Sequence, residues 1–166
     1  MSREAMRAIF KDDVEKFNSL VEADLDVLAI TEKEKWNFLH RALVSITMKP
    51  TPQMIKRLIE LDVGVNAVDS YGNTPLHYAA RLKDVDIMKV LLDAGAEVNH
   101  LNFDKISPLR HMLLSRPTDL EAFELLLSSG ADLEYCSDGG ISDKEYVNTI
   151  AHGEDAQLLN VLEKYS

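Results

Sequence analysis

The 166-residue sequence predicts an all-α fold, a stack of short helix pairs, on three observations. Apolar residues recur at helical spacing in segments of about ten residues. An isolated helix shorter than roughly 12–15 residues is marginal in water, so each segment needs a neighbour to cover its apolar side. Start and stop chemistry brackets the segments, with Thr74-Pro75 ahead of one and Gly95 behind the next. The pattern also repeats. Ser107-Pro108-Leu109 lies 107 − 74 = 33 residues after Thr74-Pro75-Leu76, and Leu91 to Asn99 lies 91 − 58 = 33 residues after Leu58 to Asn66.

Taken in order, Met1 to about Leu28 predicts a first helix over Ala5–Phe10 and a second with Val14, Phe17, Leu20 and Val21 on its buried stripe. Asp24 stands in the slot that Gly95 fills in the clearest copy, and aspartate tolerates the left-handed backbone needed there. Glu32 to Asn66 opens its first helix with Asn37-Phe38-Leu39-His40 and puts Asp62 in the glycine slot. Leu39 to Leu58 spans 58 − 39 = 19 positions where Leu76 to Leu91 spans 15, so four residues are inserted between the helices, and Thr51-Pro52 starts the second.

The clearest copy runs from Asp69 to Asn102. Thr74 caps its first helix by accepting first-turn N–H groups, Pro75 takes the first helical position, and Leu76, Ala79 and Ala80 form the inner face. Val85, Met88, Leu91 and Leu92 form the stripe of the second helix. Asn102 to about Tyr135 follows, with Leu109, Met112 and Leu113 on one helix and Phe123, Leu125, Leu126 and Leu127 on the other. Lys105 replaces the turn glycine here, and a left-handed lysine costs about 1–2 kcal/mol. Gly95 to Gly130 spans 35 positions, which places a two-residue insertion at Ser115-Arg116-Pro117-Thr118. The last unit runs from Asp138 to Ser166, with Asp138-Gly139-Gly140 as turn, Ile150-Ala151-His152-Gly153 ending one helix, and Leu158, Leu159, Val161 and Leu162 on the next. Five units, approximately 1–30, 31–67, 68–100, 101–136 and 137–166, fill a single domain without a linker.

A 33-residue period carrying the box Thr74-Pro75-Leu76-His77 resembles the ankyrin repeat, and Asp69 to Asn99 matches the family pattern at nearly every position. The resemblance implies an ankyrin-repeat solenoid of helix-turn-helix units with short hairpin fingers, its outermost repeats acting as caps. It implies that His77 and His40 are structural, bridging neighbouring repeats through backbone hydrogen bonds. It further implies that the fingers and the exposed face of the inner helices form a concave groove that binds another protein. By position in the repeat, the second unit would present Lys33, Glu34 and Trp36 there, and the third Val68, Ser70, Tyr71, Asn73, Tyr78, Arg81 and Leu82. The fourth would present Leu101, Phe103, Asp104, Ile106, His111 and Ser115, with Glu134, Tyr135, Ser137 and Asp138 beyond it. Aromatic residues at such positions are typical of interface hot spots.

Charge indicates the partner. Eleven acidic residues stand against Lys144 and Lys164 from Pro117 onward, giving 2 − 11 = −9 of the formal −10. That field repels phosphate backbones and anionic lipid and steers in a basic protein, so no nucleic acid or membrane is expected as a partner. The same charge would also serve simply to solvate a terminal cap. Cys136 stands alone, so no internal disulfide or cysteine-rich metal site is possible. No apolar run approaches the roughly 18 residues of a membrane span, and the first residues lack the apolar core of a signal peptide, so a cytosolic location is expected. The five histidines show no metal-ligand spacing, and no Gly-x-Ser-x-Gly, phosphate-binding loop or dinucleotide fingerprint occurs. No enzyme activity, cofactor or metal is expected. The resulting expectation is a protein, monomeric by itself, that masks a basic partner, similar to the immunity-type inhibitors paired with bacterial toxins; the alternative is an ankyrin adaptor or scaffold.

Overall fold

Capping residues set the helix starts in the computed structural model, which describes residues 1–136, 140–151 and 157–165. Asp13, Asn37, Thr51, Asp84, Ser107, Asp119 and Ser142 each accept a first-turn backbone N–H, and Pro52, Pro75 and Pro108 occupy first positions where no N–H is needed. At Thr74 the cap runs through His77, whose Nδ1 accepts the Thr74 N–H at 3.1 Å and lies 2.9 Å from the Thr74 hydroxyl.

The helices are α1 (Arg3–Phe10), α2 (Val14–Glu22), α3 (Phe38–Leu43), α4 (Pro52–Glu60), α5 (Pro75–Leu82), α6 (Val85–Asp93), α7 (Pro108–Leu114), α8 (Leu120–Ser128), α9 (Asp143–Ile150) and α10 (Gln157–Lys164). No strand occurs among the described residues. Each odd-numbered helix packs on the next odd one, forming an inner row, and each is paired with the helix that follows it. In the outer row α4, α6, α8 and α10 pack in sequence. One continuous apolar core results, with Phe17, Phe38, Leu76, Met88, Leu91 and Phe123 among its fully buried members.

From the second pair onward, side chains link neighbouring pairs at defined positions. Asn66 and Asn99 donate from Nδ2 to the carbonyls of Gly95 and Gly130 in the next unit at 2.9 and 2.8 Å, and within the second pair Asn37 Nδ2 donates to the Gly64 carbonyl at 2.8 Å. Deeper in, His40 Nε2 reaches the Asn73 carbonyl and His77 Nε2 the Ile106 carbonyl, both at 3.0 Å. Arg110 holds the third rung in place of a histidine, donating from Nη2 to the Ile141 carbonyl at 2.6 Å while pairing with the buried carboxylate of Asp143. Burial pushes the Asp143 carboxyl up to about 6, against the opposing pull of Arg110.

Left-handed residues close the turns. Asp24, Asp62, Gly95 and Gly130, each just past an outer helix, have φ of 70°, 61°, 85° and 89°. In the fingers Lys35, Gly72 and Lys105 play the same part at 59°, 79° and 61°. Four buried stripes differ from the pattern expected from sequence. In α2 only Phe17 is buried, with Val14, Leu20 and Val21 partly covered, and in α10 Leu159 is only partly covered. In α6 the buried residues are Ile87, Met88 and Leu91, while Val85 and Leu92 are only partly covered. In α8 they are Ala122, Phe123, Leu126 and Leu127, with Leu125 only partly covered. An outer helix touches its inner partner and both outer neighbours, so its buried arc centres on the side facing its own pair and turns the flanking positions to the rim. The expected residues His152 and Gly153 lie outside the described residues.

Candidate protein-binding surface

The fingers are built on two side chains that imitate a backbone turn. Asp69 Oδ1 accepts the N–H groups of Tyr71 and Asn73 at 2.8 and 2.9 Å, and Asn102 Oδ1 does the same for Asp104 and Ile106 at 3.0 and 2.9 Å. Asp69 Oδ2 also accepts the Trp36 indole N–H at 3.2 Å and the Tyr78 hydroxyl at 2.5 Å. Burial opposes ionisation of Asp69, but these four donors hold its carboxyl below the usual carboxylate range. The Tyr78 hydroxyl is pushed up to about 12 by burial and by donating to that carboxylate.

Successive fingers are then tied backbone to backbone. Ser70 N–H donates to the Glu34 carbonyl at 2.8 Å, and Phe103 N–H to the Tyr71 carbonyl at 3.0 Å. Phe103 lies so close over Gly72 that a Cβ there would sit 2.8 Å from both the Phe103 nitrogen and Cδ1, so only glycine serves at that left-handed turn. The consequence is a row of side chains turned outward. Tyr71 is 59% and Phe103 71% exposed, side by side at the tips.

Several residues expected at the surface are placed elsewhere. Tyr78 and Asn73 are buried, Tyr78 on Asp69, and Asn73 with its Oδ1 accepting from Asn102 Nδ2 at 2.9 Å. Their bonding needs are met inside the stack, which corrects the placement of both on the binding face. Trp36 is half-buried and anchored to Asp69 rather than free. Arg81 is partly exposed, donates to the Val44 carbonyl at 3.1 Å and lies over the Tyr78 ring at 5.2 Å. His111 is half-buried, 6.0 Å from His77 ring to ring, and burial together with Arg81 holds its pKa down. Ser70 and Asp104 are exposed and Leu101 half-buried. Glu134 is exposed and paired with Lys144 at 2.9 Å, and Tyr135 is half-buried. Ser137 and Asp138 lie outside the described residues.

The sequence reading missed the Asp69 network and the Arg110 rung. A signal existed for both: Trp36 and Asp69 are one period apart, and Arg110 occupies the box position of His77, 110 − 77 = 33 residues on.

His40 and His77 are fully buried with their ring nitrogens engaged, and burial brings the His77 pKa down to about 4. Among the described residues no three His, Cys, Asp or Glu side chains are grouped to hold a metal ion, and no helix is long and apolar enough to cross a membrane.

Comparison with known proteins gives the surface its context. The family described as ankyrin repeats (3 copies) matches residues 5–102, which is 98 of 166. The chain is 33% identical over 92 residues to the putative ankyrin repeat protein FPV219 of fowlpox virus (strain NVSL), covering 55% of this chain and 20% of that protein. It is 39% identical over 88 residues to the tyrosine-protein kinase Shark of Drosophila melanogaster, covering 52% and 9%. To the ankyrin repeat, SAM and basic leucine zipper domain-containing protein 1 of Equus caballus it is 37% identical over 82 residues, covering 48% and 17%. The chain thus spans a fifth or less of the length of these relatives. With more than half its residues matched and an all-α stack of helix pairs joined by fingers, the chain belongs to the ankyrin-repeat family, a non-catalytic fold for protein–protein interaction.

Proposed function

We propose that all five helix pairs are ankyrin repeats of one domain, the last two diverged from the consensus, and that the chain captures a basic protein and masks it as an immunity-type inhibitor. The observation that carries this reading is the outward-facing pair Tyr71 and Phe103. Two large aromatic side chains are held at the fingertips by a rigid network while the core beneath them is closed. Aromatic anchors on a pre-ordered scaffold lose little conformational freedom on binding. Exposed carboxylates at Asp104, Asp132 and Glu134 extend the surface with a charge that attracts a basic partner.

Tyr71→Ala with Phe103→Ala is expected to weaken binding of the partner about 100-fold, close to 3 kcal/mol, with the thermal melt unchanged. Glu134→Lys with Asp138→Lys is expected to slow association at low salt and to matter little at high salt. Affinity that survives the aromatic double substitution contradicts the reading.

A second reading, the adaptor, is favoured by the relatives. One bears the name of a tyrosine kinase, and the matched segment is a small part of each. Assay of the captured partner separates the two: its activity is lost under inhibition and kept under scaffolding.

A further inference from the structure

At the end of the inner row farthest from the acidic third, α1, α3 and the finger before α3 bound a cleft of about 660 Å³. Its floor is apolar. Met6 and Phe10 come from α1, Trp36 from the finger, and Met48 from the insertion between α3 and α4. Its rim is basic. Arg3 and Arg7 stand one turn apart on α1, Lys11 follows at the helix end, and the Arg41 guanidinium lies 5.6 Å above the Trp36 ring. Glu34 is the one acid among the described lining residues.

Other cations such as Lys33, Lys56 and Lys105 also lack an ion pair among the described residues, but these four are gathered around one apolar cleft. Elsewhere Lys16 pairs with Glu4, Lys89 with Glu121, Lys144 with Glu134, Lys164 with Glu124 and Arg110 with Asp143. Among the described residues no carboxylate lies within ion-pair distance of Arg3, Arg7, Lys11 or Arg41. A protein of formal charge −10 that leaves four cations unpaired around one apolar floor presents a local complement to an anion with an apolar body.

We propose that this cleft binds an acidic peptide segment of a partner protein. An apolar side chain of the segment seats on Met6, Phe10 and Met48, and flanking carboxylates meet the guanidinium groups of Arg3, Arg7 and Arg41 in the bidentate geometry that arginine favours. The volume lies within the roughly 300–1,000 Å³ of sites that take one compact group. A nucleic acid fits less well. Arg41 lies over one face of Trp36 and its edge is tied to Asp69, which leaves Phe10 as the one other aromatic ring lining the cleft and no open row of rings for successive bases to stack on. A long polyanion is also repelled by the rest of the molecule.

The proposal is independent of whether the acidic end captures a basic protein, and its test uses different residues. Trp36 is the only tryptophan, so its emission reports occupancy of the cleft. The probes are an array of short synthetic peptides without tryptophan in which Asp and Glu flank one apolar residue. Controls carry Lys in place of the acids, or Ser in place of the apolar residue, and a single-stranded oligonucleotide completes the set. Saturable emission changes are expected with members of the acidic–apolar set. Arg3→Glu with Arg7→Glu, both exposed side chains, is expected to weaken that binding at least tenfold, the deficit shrinking as salt rises. If this variant shows an altered melt, Arg3→Glu with Lys11→Glu replaces it. The proposal is overturned if no acidic–apolar peptide shifts Trp36 emission. It is equally overturned if the charge-reversed protein binds unchanged, or if the Lys peptides or the oligonucleotide bind as tightly.

Discussion

Asp69→Ala is expected to destabilise the protein by about 3–5 kcal/mol, the largest effect of any single polar substitution in the fingers. The carboxylate is 3% exposed and accepts four hydrogen bonds, two from the backbone of its own turn and two from Trp36 and Tyr78. Removing it leaves those donors without acceptors, and each buried orphan costs about 1–3 kcal/mol before water relieves the half-buried indole. Asp69→Asn keeps the turn through Oδ1 and so is expected to cost less than half as much. Urea unfolding followed by Trp36 emission checks this directly, because the same substitution frees the reporter. A loss below about 1 kcal/mol would show that the turn holds without the network.

Acidification is expected to act in opposite directions at two rungs of the inner ladder. His77 has a native pKa of about 4 against 6.5 unfolded, chiefly through burial. Its stabilising contribution is therefore complete above pH 6.5 and declines as pH falls toward 4, by about 3 kcal/mol in all. Asp143 has a native pKa of about 6 against 3.8 unfolded. Its burial penalty is complete above pH 6 and is relieved by protonation as pH falls toward 3.8, by a comparable amount of about 3 kcal/mol. Between pH 6 and 4 these two contributions nearly offset each other, while His40 and His111, whose pKa values burial also lowers, add a net loss of stability on acidification. The contact of α5 with α7 loosens and that of α7 with α9 tightens. His77→Gln, which keeps a donor for the Ile106 carbonyl, is expected to abolish the loosening, and a pH series of amide exchange on the two proteins checks it. The same acid response in both would remove His77 as its origin.

These expectations rest on side chains that differ in how far sequence exposes them. Turn and cap positions are legible because local chemistry decides them: Thr51-Pro52, Gly95, and the left-handed Asp24, Asp62 and Lys105 all follow from neighbours within a few residues. The period made the stacking legible too, since helices this short require it. Burial at the surface was not. Repeat position assigns Tyr78 and Asn73 to an open face, yet Asp69 and Asn102, from the third and fourth fingers, draw them inward. The basic cleft was hidden for the same reason, since Arg3, Arg7 and Arg41 come together only when α1 packs on α3, whereas a charge count along the chain sees mainly the acidic end. At Arg110, a departure from the histidine box proved to be a substitute rung rather than a gap.

The central claim is that the fingers and inner helices form the face that captures another protein. Amide exchange of the chain alone and in complex with the partner it retains from its native lysate tests this most directly. The account predicts slowed exchange at 69–73, 102–106 and along α5 and α7, with α4, α6 and α8 unchanged. Slowed exchange confined to α4, α6 and α8, with the fingertip amides as fast as in the free protein, would contradict it.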